Sequence, residues 1–333
     1  MSFITNSIII GFCCFYGFGH CSEQFSYDLN KLTAQEAFEK GRLLRAQFKN
    51  IEGRKYLKFA AEQGDENAAY LLAMDLISFK STIRTPPESK YYLNIAAKNG
   101  SRKAMLYLYL HANWLEIEER GLWKTRYYEI LINLGKSAPA QVFYELAMYH
   151  KGNDDDLSQY YLERAIDLEH PKALMELAHQ IEDGSGLFIV PGSRQTQARI
   201  LYLQAAQTGY LPAILKYIKY LESVEKFENA YEWRVKAMEI GDLTSLPILA
   251  SILTSQSENY RFVETDVQTA KAYFNVYLES AGRDRLPALY SNIEVKLTKL
   301  SLRQGNDLND NNLIEHEIKK YGPFFNHDAH WEY

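Results

Sequence analysis

Residues 173–213 read ALMELAHQIEDGSGLFIVPGSRQTQARILYLQAAQTGYLPA, and this stretch decides the fold. Leu174, Leu177, Ala178 and Ile181 recur at three- and four-residue intervals, so they share one face of a helix. Ala198, Leu201, Tyr202, Ala205 and Ala206 do the same further on. Between the two runs lies a loop carrying Gly184 and Gly186. Gly209 sits where a left-handed residue ends a helix, and Pro212 suits an early position of the next one. The stretch therefore predicts helix, loop, helix, stop and a third helix. One helical hairpin cannot bury its own apolar faces, so it also predicts stacked copies.

The copies are in the chain. With Gly209 as the reference slot, equivalents fall at Gly64, Gly100, Gly135, Gly241 and Gly282, and Glu169 fills the slot once. Eight residues before each slot stand Tyr56, Tyr92, Tyr127, Tyr161, Leu201, Trp233 and Phe274. Four before stand Ala60, Ala96, Leu131, Ala165, Ala205, Ala237 and Leu278. Four after come Ala68, Ala104, Pro139, Ala173, Ala213, Ser245 and Leu286; eight after come Leu72, Leu108, Phe143, Leu177, Tyr217, Leu249 and Tyr290. A small residue one turn before the stop lets neighbouring helices approach. The aromatic one turn earlier fills the wider gap on the same face. Glycine at the slot accepts a positive φ without a Cβ clash.

On these residues the chain resembles the Sel1-like repeat family, relatives of the tetratricopeptide repeat. The family's aromatic, alanine pair, glycine, alanine and leucine are matched by Tyr56, Ala60, Ala61, Gly64, Ala68 and Leu72. They are matched again by Tyr92, Ala96, Ala97, Gly100, Ala104 and Leu108. The copies at Gly135, Glu169 and Gly282 depart from the pattern. The resemblance implies an all-α fold: a right-handed α-solenoid of about seven helix-turn-helix repeats with a C-terminal capping helix. The array is expected over residues 31–300, and a cap with an aromatic tail over residues 301–333.

Residues 1–22 form a long uncharged stretch, with an apolar core from Ile8 to Gly19 that is short for a membrane span. Gly17 and Gly19 suit a cleavage site, so we expect a cleaved secretory signal peptide and a periplasmic or secreted protein. An uncleaved anchor is the alternative and is the one route to a membrane. A lipoprotein reading of Cys21 needs a small residue before it, where His20 stands. Cys13, Cys14 and Cys21 all lie in this leader, so the rest of the chain carries no disulfide pair. Some secreted relatives staple their hairpins with cysteines, and nothing attributed to those relatives is carried over.

Thr33 with Glu36 reads as a capping box opening the first hairpin, and Pro86 with Pro87 separates the helices of the second. Asn153 to Asp156 is a three-aspartate helix entry that lacks the glycine and distal glutamate of a calcium loop. The loop from Asp183 to Gln197 carries Leu187, Phe188, Ile189 and Val190, and either tucks into the array or forms a binding ridge. Residues 303–312 read as turn, and residues 313–321 as a short capping helix.

With Lys+Arg 37 against Asp+Glu 42 and a formal charge of −5, there is no electrostatic footprint for nucleic acid. No nucleophile elbow, phosphate loop, dinucleotide fingerprint or zincin helix occurs, so neither enzyme activity nor a cofactor is expected. His327, Asp328 and His330 supply too few ligands at metal spacing, and no metal is expected. The 25 Tyr and 16 Phe are expected mainly between helices, with any exposed surplus forming a protein-binding surface.

Lys58, Asn94, Glu163 and Arg234 lie beside the packing columns and vary in charge, which makes them candidate partner contacts. Trp114 with Trp123 around an acidic stretch, and the tail residues Phe324, Phe325 and Trp331, are the competing sites. The resemblance implies a protein-binding scaffold of the cell envelope. Its uses include an immunity or inhibitor protein that neutralises a secreted toxin, an envelope-assembly scaffold and a secreted factor engaging host proteins. A cytosolic regulatory scaffold and an enzyme with an unrecognised site stand as the alternatives.

Overall fold

The computed structural model describes residues 29, 31–78, 85–186, 188, 190, 192–254, 257–303 and 308–328. The leader at residues 1–22 and Trp331 lie outside the described residues. Seven helical hairpins follow one another: α1 Ala34–Ala46 with α2 Asn50–Glu62, α3 Glu66–Ser78 with α4 Pro87–Lys98, and α5 Arg102–His111 with α6 Ile117–Leu134. Next come α7 Pro139–His150 with α8 Asp155–Asp167, and α9 Pro171–Glu182 with α10 Ser193–Gln207. The last two are α11 Leu211–Ser223 with α12 Phe227–Glu239, and α13 Ser245–Leu253 with α14 Val267–Ser280. Two further helices, α15 Pro287–Arg303 and α16 Leu308–Lys319, pack on α14.

Local chemistry sets the ends. Thr33 and Glu36 form the capping box, each side chain accepting from the other's main-chain N–H, at 3.2 and 2.8 Å. Prolines open α4, α7, α9 and α11, where a missing N–H costs nothing. Asp154 caps α8 by accepting from Leu157 N at 3.0 Å, so the aspartate run at residues 154–156 serves a helix start.

The slots end the second helix of each hairpin. Gly64, Gly100, Gly209 and Gly241 have positive φ, and Glu169 adopts the same left-handed turn at φ 54°. Register there outweighs the local penalty on a side chain. The alanines four before and four after these slots have 0% exposure wherever they occur, including Ala60, Ala96, Ala205, Ala68, Ala173 and Ala213. Helices consequently pack close across the junctions, and Tyr56, Tyr92 and Leu201 fill the gaps one turn earlier.

Two slots depart. Gly135 is right-handed helical at φ −56°, and Pro139 four residues on is exposed. Gly282 lies outside the left-handed glycines, and Leu286 is 41% exposed. At these copies the columns before the slot hold, with Tyr127, Leu131 and Phe274 buried, and the left-handed stop and the position four residues on depart from the expected pattern. At Gly282 the physical reason is close approach. Its N–H donates to Gln47 O at 2.6 Å, and a Cβ would meet Phe48 O at 2.5 Å.

That contact closes the array on itself. Asp284 N donates to Phe48 O at 3.2 Å, Ile51 N to Asp284 Oδ2 at 2.8 Å, and Lys49 Nζ to Glu279 O at 3.1 Å. Phe48, from the loop between α1 and α2, is buried in the core of the last hairpins. The first and last hairpins are joined by these main-chain and side-chain bonds.

Candidate functional site

The sequence-derived candidates do not gather into one surface. Lys58, Asn94, Glu163 and Arg234 lie on α2, α4, α8 and α12, the second helices of four hairpins. Lys58 and Glu163 are exposed and engage neighbours one turn away, Glu62 at 3.9 Å and Gln159 at 3.0 Å. Asn94 is half-buried. Arg234 corrects the expectation: it is buried and pairs with Glu222 at 3.0 Å, so its charge is spent inside the array.

Trp123 is likewise buried on α6, under Arg126, whose guanidinium lies 5.1 Å from the ring. Trp114 is half-buried with Lys90 Nζ 4.8 Å above its ring. Trp123 is thus core, while Trp114 keeps part of its surface open. Phe188 tucks its ring against the fifth hairpin, with Arg194 stacked on it at 4.8 Å, while Val190 stays exposed. The 183–197 loop thus takes the tucked form at Phe188.

A polar device escaped the sequence reading. Glu145 accepts from Tyr127 OH at 3.1 Å and pairs with Arg102 at 3.1 Å. Glu182 accepts from Tyr202 OH at 2.7 Å and pairs with Lys216 at 3.4 Å. Glu222 accepts from Tyr260 OH at 2.7 Å and pairs with Arg234. Each carboxylate on a first helix gathers a phenol and a cation from neighbouring elements. Burial, and then the nearby carboxylate, pushes these tyrosines' pKa up. The available signal was Glu182 and Glu222, each thirteen residues past its slot.

The irregular third and fourth hairpins carry an aromatic strip. Tyr128 meets Tyr149 in a tilted pair at 5.8 Å, Tyr149 meets His150 at 5.0 Å, and His150 lies 5.7 Å from Tyr161. Tyr160 continues the strip at 5.4 Å from Tyr161. Lys124 Nζ lies over Tyr109 and Tyr149, and Arg164 over Tyr160 at 5.3 Å. Ile132 at 51%, Tyr160 at 49% and Tyr128 at 37% exposure present this strip to solvent. Ile117, Tyr128 and Ile132 share one face of α6, eleven and four residues apart.

The tail takes a different course from the one expected. Phe324 is buried in the core of the last hairpins, and Phe325 packs on the core of the fifth and sixth. Phe325 N donates to Gly241 O at 2.9 Å, and Leu243 N to Phe325 O at 3.0 Å. Asn326 N donates to Ala46 O at 2.9 Å, and Gln47 Nε2 to Phe324 O at 2.8 Å. Asp328 pairs with Arg45 at 3.0 Å and Arg285 at 3.3 Å. Arg45 also holds buried Asp75 at 2.6 Å. Burial opposes Arg45's charge, but Asp75 and Asp328 outweigh it and hold its pKa above the ordinary value.

Beside the tail lies a cavity of about 400 Å³ bordered by Tyr144, Lys172, His179, Tyr210, His327 and Asp328. Burial, helped by Lys172, brings His327 down to about 4. Burial and Lys172 also bring His170 down to about 4; it stacks on Tyr144 at 4.8 Å and sits 3.0 Å from Gln141 Oε1. Lys103 falls to about 8, again by burial and then by Lys172, and Tyr144 and Tyr210 are pushed up to about 12 by burial. These groups titrate away from their ordinary values because water is scarce around them. No cluster of three or more His, Cys, Asp or Glu among the described residues is placed to hold a metal ion.

No protein-family model matches the sequence, and no curated protein matches it. Among solved structures it is similar to a Sel1 repeat protein from Oxalobacter formigenes, with 18% identity over 92% of this chain and 91% of that one, TM-score 0.38. It is also similar to a protective antigen of uropathogenic Escherichia coli strains that displays an SLR fold, with 14% identity over 90% and 71%, TM-score 0.33. The buried columns and left-handed slots of the chain itself give it the fold of a Sel1-like helical repeat protein.

Proposed function

We propose that the chain is a non-catalytic scaffold that binds another protein through the aromatic strip of its third and fourth hairpins. The observation that carries this reading is the exposure of Tyr128, Ile132 and Tyr160 beside ring-stacked Lys124 and Arg164. Tyrosines give large contact area for little lost rotamer freedom, and tyrosine and arginine are enriched among the residues that dominate measured interface energies. A helical repeat array supplies a rigid base for such a surface.

Its setting is the cell envelope, and its role that of an immunity or inhibitor protein acting on a secreted toxin. Support comes from the apolar residues 8–19 and from a repeat array free of known catalytic motifs. Affinity capture from envelope extract tests the reading, comparing the parent with Tyr128→Ala/Tyr160→Ala. A partner retained by the parent and weakened at least tenfold by the pair, about 1.4 kcal/mol, supports it. Equal capture by both overturns the strip as the site. N-terminal sequencing of envelope material checks removal of the leader: a start at Met1 overturns the cleaved periplasmic form, and a chain that stays in the cytosol overturns the envelope setting.

A further inference from the structure

Residues 325–328 are held as a bound peptide would be. Three main-chain hydrogen bonds fix them: Phe325 N to Gly241 O, Leu243 N to Phe325 O, and Asn326 N to Ala46 O, at 2.9 to 3.0 Å. These bonds demand no particular side chain, only an extended segment. Two side chains add the selectivity. Phe325 lies on the fifth and sixth hairpins, and the Asp328 carboxylate sits between Arg45 and Arg285.

The receiving side is built for chain passage. A Cβ on Gly241 would lie 2.8 Å from Pro323 O and 3.4 Å from the Phe325 ring. Arg45 pairs with Asp75 at 2.6 Å as well as with Asp328, so release of the segment leaves the buried cation a partner. Phe324, at 3% exposure, anchors the preceding turn in the core. The open cavity beside Asp328, bordered by Tyr144, Lys172 and Tyr210, gives a longer segment somewhere to continue.

We propose that residues 325–328 are a displaceable clasp closing the array. The seam they fill is then a binding site for an extended segment of another protein with an aromatic residue followed three residues later by a carboxylate. The clasp competes as an intramolecular ligand, present at a high effective concentration, so the closed chain resists weak binders. This site is independent of the aromatic strip.

The test uses the full chain and a fluorescently labelled, amidated peptide of residues 322–328, GPFFNHD. Binding is measured to the parent and to Phe325→Ala/Asp328→Asn, which loosens the clasp and leaves Phe324 in place. The loosened variant is expected to bind the peptide at least tenfold more tightly than the parent. A peptide with Asn in place of its Asp should lose that gain. Equal binding to parent and variant overturns the proposal, as does undiminished binding of the Asn peptide. Absence of binding to a variant that still melts cooperatively also overturns it. Should the double variant lose its cooperative melt, Asn326→Pro, which removes the main-chain donor to Ala46, is judged by the same criteria. The strip variant Tyr128→Ala/Tyr160→Ala serves as control and should match the parent, so failure at one site is distinguishable from failure at the other.

Discussion

The junctions at Gly100 and Gly209 differ from those at Gly135 and Gly282, although all four read as the same slot. At the first two, positive φ, a buried alanine one turn before and another one turn after form one packing unit. At Gly135 the turn stays right-handed, Pro139 is exposed, and α6 leaves Ile117, Tyr128 and Ile132 in solvent. At Gly282 the glycine serves the meeting of the two chain ends. Leu286, freed from its column, borders an apolar cavity of about 470 Å³ with Phe48 and Ile293. Regular copies spend their residues on their neighbours. Irregular ones release residues for other surfaces, here an aromatic strip and a ring closure.

The largest expected effect lies at the closure. Arg45→Ala removes the ion pair to Asp328 and leaves buried Asp75 without its cation, and should cost about 3–5 kcal/mol in a denaturant melt. A negligible loss would show that closure contributes little to the fold. Titration comes next. His327 belongs to the clasp and faces Lys172, Lys103 and Asp328, whereas His170 belongs to a regular junction and faces Lys172. Both are brought from 6.5 to about 4, so the unfolded chain takes up protons first. Their stabilising contribution is complete above pH 6.5 and is lost as pH falls toward 4. Each should remove about 2–3 kcal/mol over that window. His327→Gln and His170→Gln should each flatten part of the pH dependence of melting, and no flattening by His327→Gln would place that ring in water.

Overpacking separates the junctions next. Ala205→Leu should cost about 1–3 kcal/mol. Pro139→Leu, four residues past the Gly135 slot where regular copies place a buried alanine, should stay within about 0.5 kcal/mol because the site is exposed. Equal costs would erase the distinction. The smallest effect is at the slots. Gly100→Ala forces a side chain to φ 114° and should cost about 1–2 kcal/mol. Gly135→Ala should be neutral or slightly stabilising, since its backbone is already helical. Melts of both variants decide this, and a penalty at Gly135 would restore the regular reading of that copy.

Much of the site escaped the sequence for identifiable reasons. Arg234 looked variable and solvent-facing because charge at one position does not reveal a buried partner, here Glu222, twelve residues earlier. Phe324 and Phe325 looked like a free aromatic tail because their contacts lie as far away as Gln47 and Gly241. Tyr128 and Tyr160 lie next to the column residues Tyr127 and Tyr161, so one helical step separates core from surface.

The hairpins, the repeat junctions and the buried columns were determined by the sequence itself. Each rests on local periodicity, on the φ preference of glycine and on contacts between adjacent copies, all of which recur at readable spacing. Which slots lose the left-handed stop, where the array closes and what the tail covers were decided only by the tertiary structure. Those outcomes depend on single contacts between Gln47 and Gly282, Ala46 and Asn326, and Arg45 and Asp328. Such contacts join residues more than two hundred positions apart and have no counterpart at the repeat spacing, so periodicity carries no trace of them.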